Sequence, residues 1–347
     1  MIILGIESSC DETGVAIVED GVNLLENKVA SSMEIHSEYG GVIPEIAARA
    51  QLEYIVPVIS SVVDEFSREN KSGWDAIEGI AVTHGAGLSG SLLIGTLAAR
   101  TLAITKNKPL YAINHVEGHV YANFLNKEKP VFPLLALIVS GGHTQLVLFN
   151  NHFDYVVLGQ TVDDAIGEAF DKVAKILGLP YPGGPSVSKA AELGDPHKYD
   201  LPKPKVNGEY NFSYSGLKTA VLRKCQSIVG ADFQLSSTLL PQMLSQNQKN
   251  DIAASFQKVA VEMVVDKAVK AFDTFSPKSV VIAGGVAANS KLRTELAERL
   301  PIAIDYAPPY LCTDNGAMVA SLGSFKALLG AESADPKRLQ IEPNLKM

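Results

Sequence analysis

Cysteine is scarce and unpaired in this sequence: Cys10, Cys225 and Cys312 form an odd, scattered set without Cys-x-x-Cys spacing. That excludes a disulfide framework and reads as reduced thiols. No apolar run reaches the roughly 18 residues of a membrane span. The opening Met1 to Ile6 stretch lacks the basic region and cleavage site of a secretory leader. The chain is therefore expected in the cytoplasm, with no membrane partner. Positive charge is also short, with 30 Lys and Arg against 38 Asp and Glu and a net charge of −8. This argues against a large sequence-independent nucleic-acid surface, because such surfaces neutralise phosphates with Lys and Arg. Any RNA would need a local basic patch or a helper protein. Low-complexity segments are missing too: 46% hydrophobic and 20% charged residues are ordinary globular usage, so the chain is expected to fold throughout.

What is present is length and repetition. Single cores seldom grow past about 250 to 300 residues, so 347 residues suit two lobes. Residues 2 to 18 read as an apolar strand, a polar turn at Ser8 to Gly14, and a second apolar strand. Residues 134 to 149 repeat that scheme around Ser140-Gly141-Gly142-His143-Thr144. A further strand, Ser279 to Ala283, ends in Gly284-Gly285 and leads through Asn289 into a helix. Between the strands lie apolar stripes at helical spacing: Leu52, Ile55, Ile59, Val62, Phe66; Ile166, Phe170, Val173, Leu177; Ile252, Phe256, Val259, Met263; and Met318, Leu322, Phe325, Leu329. The expected class is α/β, internally duplicated, with two similar lobes facing a cleft. Residues 180 to 215 are rich in proline, glycine and lysine and read as a loop-rich excursion. There Lys198, Lys203, Lys205, Lys218, Arg223 and Lys224 interleave with Tyr199, Tyr210, Phe212 and Tyr214. The segment is either an RNA-facing patch or a solvated surface.

Asn114-His115-Val116-Glu117-Gly118-His119 places two histidines four residues apart. On a helix both imidazoles project from one face and can share a metal ion, although two surface histidines show the same spacing. A zinc peptidase needs a glutamate beside a ligand, as in His-Glu-x-x-His. Glu117 instead stands about 200° around the helix from either histidine, too far to serve as that base. Asp314, in a polar loop before the last stripe, is a candidate third ligand or a helix N-cap. Two imidazoles and a carboxylate suit iron(II), zinc or manganese alike.

The assembled motifs closely resemble those of the universal tRNA threonylcarbamoyltransferase family, whose bacterial form is TsaD and which once carried a glycoprotein-endopeptidase label. The matching strings are Gly5 to Thr13, Gly41 to Glu45, His115 to His119, Ser140 to Thr144, Gly167 to Lys172, Tyr181 to Pro185, Phe212 to Lys218, Gly284 to Asn289 and Thr313 to Gly316. The resemblance implies two actin/hexokinase-like (RNase H-like) lobes around a nucleotide cleft. One spans 1–113, completed by a C-terminal helix at 315–330; the other spans 114–314, with the insert at 180–250. It implies threonylcarbamoyl-AMP as donor, N6 of the adenosine 3′ of the anticodon as acceptor in tRNAs reading codons that begin with A, and AMP as leaving group. It also implies a divalent metal, iron(II) foremost with zinc, manganese or magnesium as alternatives, held by His115, His119 and Asp314. Donor contacts fall on Val139, Ser140, Gly141, Gly142, His143, Asp171, Gly184 and Asn289. Implied partners are tRNA, a TsaB-like inactive paralogue forming a heterodimer, a TsaE-like ATPase, and a TsaC-like enzyme that makes the adenylate.

The residues support these placements unequally. Glycines at 141 and 142 let backbone N–H groups approach phosphate, and a plain hairpin turn explains them as well. Asp164, Glu168 and Asp171 fall on one helical stripe, either solvated or ribose-facing. Asn289 can contact adenine or cap a helix. Ser188 stands where many relatives carry aspartate, so the carboxylate that the resemblance would set against ribose is absent at that position. Asp11 and Glu12, on the first hairpin's tip, are expected to orient the acceptor or take its proton, or to serve the turn alone. Cys10 and Cys312 have no basic partner in their strings, and an activated anhydride needs no covalent step. Competing readings are a kinase or ATPase of the same fold, which would hold Mg²⁺ through carboxylates and water, and a non-catalytic scaffold, which would lack metal ligands.

Overall fold

Continuous burial rather than alternation marks the first strands, β1 (Ile2–Glu7) and β2 (Glu12–Glu19), as covered on both faces. The structure, a computed structural model, describes residues 1–69, 72–125, 129–231 and 236–347; residues 232–235 of the expected insert lie outside the described residues. β1 and β2 pair antiparallel from Ile2↔Glu19 to Glu7↔Gly14, and β3 (Asn23–Ser31) extends the meander. After α1 (Met33–Ser37) and α2 (Pro44–Glu69), β4 (Gly79–Gly85) pairs parallel with β1. α3 (Ser89–Lys106) then crosses to β5 (Leu110–Asn114), parallel to β4, and β5 runs straight into α4 (His115–Tyr121). The resulting order is β3-β2-β1-β4-β5.

A second sheet repeats the plan. β6 (Leu134–Val139), β7 (Thr144–Asn151) and β8 (Asp154–Gln160) form an antiparallel meander. The helices α5 (Ile166–Leu177), α6 (Gly183–Ala191), α7 (Ser215–Ile228), α8 (Leu240–Met243) and α9 (Gln246–Phe275) follow. They lead to β9 (Ser279–Ala283), parallel to β6, and α10 (Ser290–Arg299) leads to β10 (Ile304–Tyr306), parallel to β9. Read from the meander outward, the order is β8-β7-β6-β9-β10, with the strand directions of the first sheet. α11 (Pro309–Cys312) and α12 (Gly316–Leu328) end the helical part of the chain.

Two units result, Met1–Pro130 with Ala307–Met347, and Val131–Tyr306. Their divisions fall at 130/131 and 306/307, whereas the sequence sets them at 113/114 and 314/315. The physical reason is local. β5 hands over to α4 without a break, and α12 packs on α4 as well as on β1 and β2. The approach of α12 is close enough that a Cβ on Gly5 would stand 2.4 Å from the Gly316 carbonyl oxygen, so only glycine fits there.

Two expected core residues are exposed. In α2 the buried face runs through Ala47, Gln51, Ile55, Ile59, Val62 and Phe66, and Leu52, one residue and about 100° on from Gln51, is 64% exposed. Leu329 lies past the end of α12 and is 58% exposed. The α5 and α9 stripes are buried throughout. Among the described residues α2 is one helix long and apolar enough by composition to cross a membrane; its buried stripe packs on β2 and β3.

Candidate metal centre

Asn114 sets the start of α4. Its side-chain oxygen accepts from the backbone N–H groups of Val116 at 2.9 Å and Glu117 at 3.3 Å. His115 and His119 therefore sit one turn apart, with ring centroids 4.6 Å apart and planes at 73°. Their Nε2 atoms lie 3.7 and 3.4 Å from Oδ1 of Asp314, and ligand atoms of all three residues fall within 4.8 Å of one another. Asp314 is not the N-cap of α12. That role belongs to Asn315, whose side chain accepts from Met318 N at 3.0 Å. Glu117 is buried on α4, and its charged neighbour is Lys326 of α12; burial, opposed by Lys326, raises its pKa to about 7.

Behind His115 stands a second layer that sequence patterns do not assign. Nδ1 of His115 is 3.0 Å from the Ser9 hydroxyl and 3.3 Å from Oε2 of Glu7. Glu7 is fully buried and accepts from Ser9 N and from the Thr83 hydroxyl, each at 2.6 Å. Engaging Nδ1 in this way fixes the ring with Nε2 toward Asp314, the usual role of groups behind a metal-binding histidine. Glu7 and Ser9 lie inside the Gly5 to Thr13 string, which is the available signal; Thr83 offers none.

Asp11 and Glu12 stand on the same turn. Asp11 is 8% exposed, and its carbonyl accepts from the backbone N–H and hydroxyl of Ser32 at 3.2 and 3.0 Å. Burial, with Asp314 and Asp11 adding repulsion, pushes the Glu12 carboxyl well above the usual range. Burial, opposed by His115 and reinforced by Glu7 and Asp11, lifts Asp314 to about 6. For His115 burial acts downward, but Asp314 and Glu7 outweigh it and raise the imidazole to about 9. Burial would raise Glu7, yet His115, Thr83 and Ser9 hold it below the ordinary value. Carboxylates are thus gathered around two imidazoles at a cost that a divalent cation relieves. The nitrogen and oxygen donor set fits such a cation. Cys10 is a poor nucleophile here, since burial and then Asp11, Asp314 and Glu12 push its thiol up, and the Cys312 thiol donates to the Ala307 carbonyl at 3.1 Å.

The residues expected to meet the donor all belong to the second unit. Val139 ends β6, and Ser140 to His143 form a turn closed by Ser140 N to the His143 carbonyl at 2.8 Å and His143 N to the Ser140 hydroxyl at 3.1 Å. A Cβ added at Gly141 or Gly142 would meet no atom within 4 Å, so the outer side of this turn is open. Gly284, at φ +89, lies against the turn, where a Cβ would stand 2.5 Å from the Val139 carbonyl oxygen. Asp171 is not on a solvated acidic stripe: its Oδ1 accepts from Gly183 N at 2.7 Å and ties α5 to the start of α6, which carries Gly184. Asp164 precedes α5 and binds Lys172 and Lys218 at 2.8 and 3.1 Å. Asn289 caps α10 by accepting from Leu292 N at 3.0 Å, while its amide nitrogen donates to Ser188 at 3.2 Å and Gln257 at 3.1 Å.

Two sheets of one repeated mixed order, each with helices between its parallel strands, define an α/β protein of the actin/hexokinase-like class. HypF, solved in its phosphate- and nucleotide-bound form, shares the fold with a TM-score of 0.61 at 12% identity, over 96% of this chain and 56% of that one. The chain belongs to the TsaD family, tRNA N6-adenosine threonylcarbamoyltransferase, whose sequence profile matches residues 23–321. A protein of that name from Dehalococcoides mccartyi is 47% identical over 332 residues, 96% of this chain and 95% of its own. Another from Caldicellulosiruptor saccharolyticus is 48% identical over 341 residues, again 96% and 95%.

Proposed function

We propose that this transferase moves a threonylcarbamoyl group from threonylcarbamoyl-AMP to N6 of the adenosine immediately 3′ of the anticodon, in tRNAs reading codons that begin with A, and releases AMP. The observation that carries this reading is the convergence of His115, His119 and Asp314 on one point beside the acidic Ser8–Glu12 turn, in a chain of the tRNA N6-adenosine threonylcarbamoyltransferase family. A kinase of the same fold would hold Mg²⁺ through carboxylates and water, so two converging imidazoles speak against it.

His115, His119 and Asp314 would hold one divalent cation, with iron(II) favoured by the family resemblance and zinc, manganese and magnesium as alternatives. When bound, it supplies Lewis acidity toward donor oxygens. The chain's own groups position the reactants. Val139, Ser140 and His143 frame a turn whose Gly141 and Gly142 backbone N–H groups meet phosphate; Asp171, which accepts from Gly183 N at the start of α6, and the adjacent Gly184 face the ribose; Asn289 lies toward adenine. N6 attacks the carbonyl carbon of the mixed anhydride, the bond from that carbon to the phosphate oxygen breaks, and AMP departs with the electron pair. Asp11 and Glu12 orient the amine and take its proton. A TsaB-like paralogue as heterodimer partner, a TsaE-like ATPase and a TsaC-like source of adenylate complete the system in the cytoplasm, and their help suits an acidic protein with an acidic substrate.

The test incubates the purified chain and those partners with labelled threonine, bicarbonate, ATP and unmodified tRNA, with and without a chelator, and digests the tRNA to nucleosides. Label on adenosine that disappears with the chelator supports the reading, and elemental analysis identifies the cation. Unlabelled tRNA in the complete mixture refutes it.

A further inference from the structure

We propose that a groove between residues 200–202 and the exposed side of α7 is the surface on which this chain holds the tRNA backbone. This inference rests on tRNA being the acceptor, and it names a contact surface that the metal and donor residues do not include.

The charge of the chain is unevenly divided. Residues 131–306 carry 17 Lys and Arg and 17 Asp and Glu, so the whole net charge of −8 belongs to the first unit, and the second is neutral. Within the second unit, residues 198–224 hold six basic side chains against Asp200 and Glu209. Two of the six are spent internally: Lys203 on Glu262 and Asp266 at 3.1 and 2.8 Å, and Lys218 on Asp164 at 3.1 Å. Arg223 and Lys224 form no ion pair among the described residues, and both line a groove of about 710 Å³. Its other lining residues include Pro202, Ser215, Ser227 and one acid, Asp200. Lys224 is braced over the Tyr199 ring, with Nζ 5.9 Å from its centroid. Arg223 and Lys224 stand on adjoining stripes of the α7 face that borders the groove, so their two charges line its length and suit two anions. A polymer with a charge at every nucleotide supplies two such anions, and a lone phosphate does not. Hydroxyls at Ser215 and Ser227 add neutral donors of the kind that contact phosphate and sugar oxygens.

The experiment uses the full chain with its partner proteins and an unmodified tRNA transcript. Dissociation constants are measured against salt for wild type, Arg223→Glu/Lys224→Glu, the milder Arg223→Ala/Lys224→Ala, and a charge-matched control, Lys337→Glu/Arg338→Glu, in the other unit. The alanine pair keeps the result readable should the reversal fail to fold. The expected result is a rise of roughly tenfold or more in Kd for the reversal, with the salt slope reduced by about one to two in both groove variants and unchanged in the control. The KM for tRNA rises while kcat at saturating tRNA holds. Wild-type affinity and slope in both groove variants overturn the proposal, as does an equal loss in the control. Retained tRNA affinity with loss of a partner protein in pull-down also overturns it, since the groove would then dock protein. Wild-type protein that binds the transcript through these residues but attaches nothing to it leaves the groove standing and sinks the function proposed above.

Discussion

The side-chain nitrogen of Gln51 donates to the carbonyl of Glu12 at 2.9 Å, and it also lies 3.0 Å from the carbonyl of Cys10 and 3.3 Å from that of Ser8. One fully buried amide on α2 therefore gathers three carbonyls of the turn that carries Ser9, Asp11 and Glu12. Gln51→Leu fills the space and removes the donor. Leaving buried carbonyls unpaired costs on the order of 1–3 kcal/mol, and a displacement of the acidic turn by about 1 Å lowers kcat by roughly a hundredfold. The KM for tRNA stays near wild type. Steady-state kinetics beside a thermal unfolding curve separate the two effects. An unchanged kcat with a lowered unfolding midpoint would show that Gln51 is only structural.

His119→Ala and Asp314→Asn each remove a ligand from the proposed centre. Cation content by elemental analysis is expected to fall from about one per chain toward zero, with transfer lost and the far-ultraviolet spectrum kept. A ligand that binds only the folded state raises its unfolding midpoint. Added iron(II) or zinc should therefore raise the midpoint of wild type and leave both variants where they were. An equal rise in all three proteins would place the cation elsewhere.

Glu7→Gln tests the layer behind the ligands without touching them. The amide keeps the shape but loses the charge facing Nδ1 of His115, so cation affinity is expected to weaken by about 10- to 100-fold while one cation still binds at saturation. Titration with a competing chelator measures it. Unchanged affinity removes Glu7 from the centre's support.

Much of this is legible in the sequence, and what is not has physical causes. β9 reads with its observed bounds, Ser279–Ala283, because a short apolar run closed by a Gly-Gly turn admits little else. The histidine pair is legible because α-helical spacing is local. Asp314 and Asn315 are not separable by type, since both residue types cap helices and only the backbone shows which one does. Gln51 is hidden for the opposite reason: as a polar residue on the buried face of α2 it interrupts the apolar stripe, and the pattern passes through neighbouring Leu52 instead. Its signal is that interruption. Spacing alone puts Asp164 on α5, and its ion pairs with Lys172 and Lys218 depend on contacts that spacing does not encode.

Asp11→Ala and Glu12→Ala, assayed at saturating donor, divide the work of the acidic turn. Loss of a group that takes a proton from N6 lowers kcat by about 100- to 10,000-fold and leaves donor binding intact. Rates equal to wild type for both variants would return these residues to turn chemistry alone.

Asp164→Asn tests how the segment before α5 is fastened to α7. Burial pushes the Asp164 carboxyl upward, but hydrogen bonds and charge from Lys172 and Lys218 win and hold it below its ordinary value of 3.8. A depressed folded-state pKa means that the unfolded chain takes the proton first on acidification. The contribution is thus fully present above the unfolded value and is lost as pH falls through the folded one. In urea unfolding at stepped pH, the gap between wild type and Asp164→Asn should be constant from about pH 7 to about pH 5 and should narrow below about pH 4. A gap that widens on acidification would show that the carboxylate is destabilised in the fold, and its pairing with Lys172 and Lys218 would then not be what fastens the two segments.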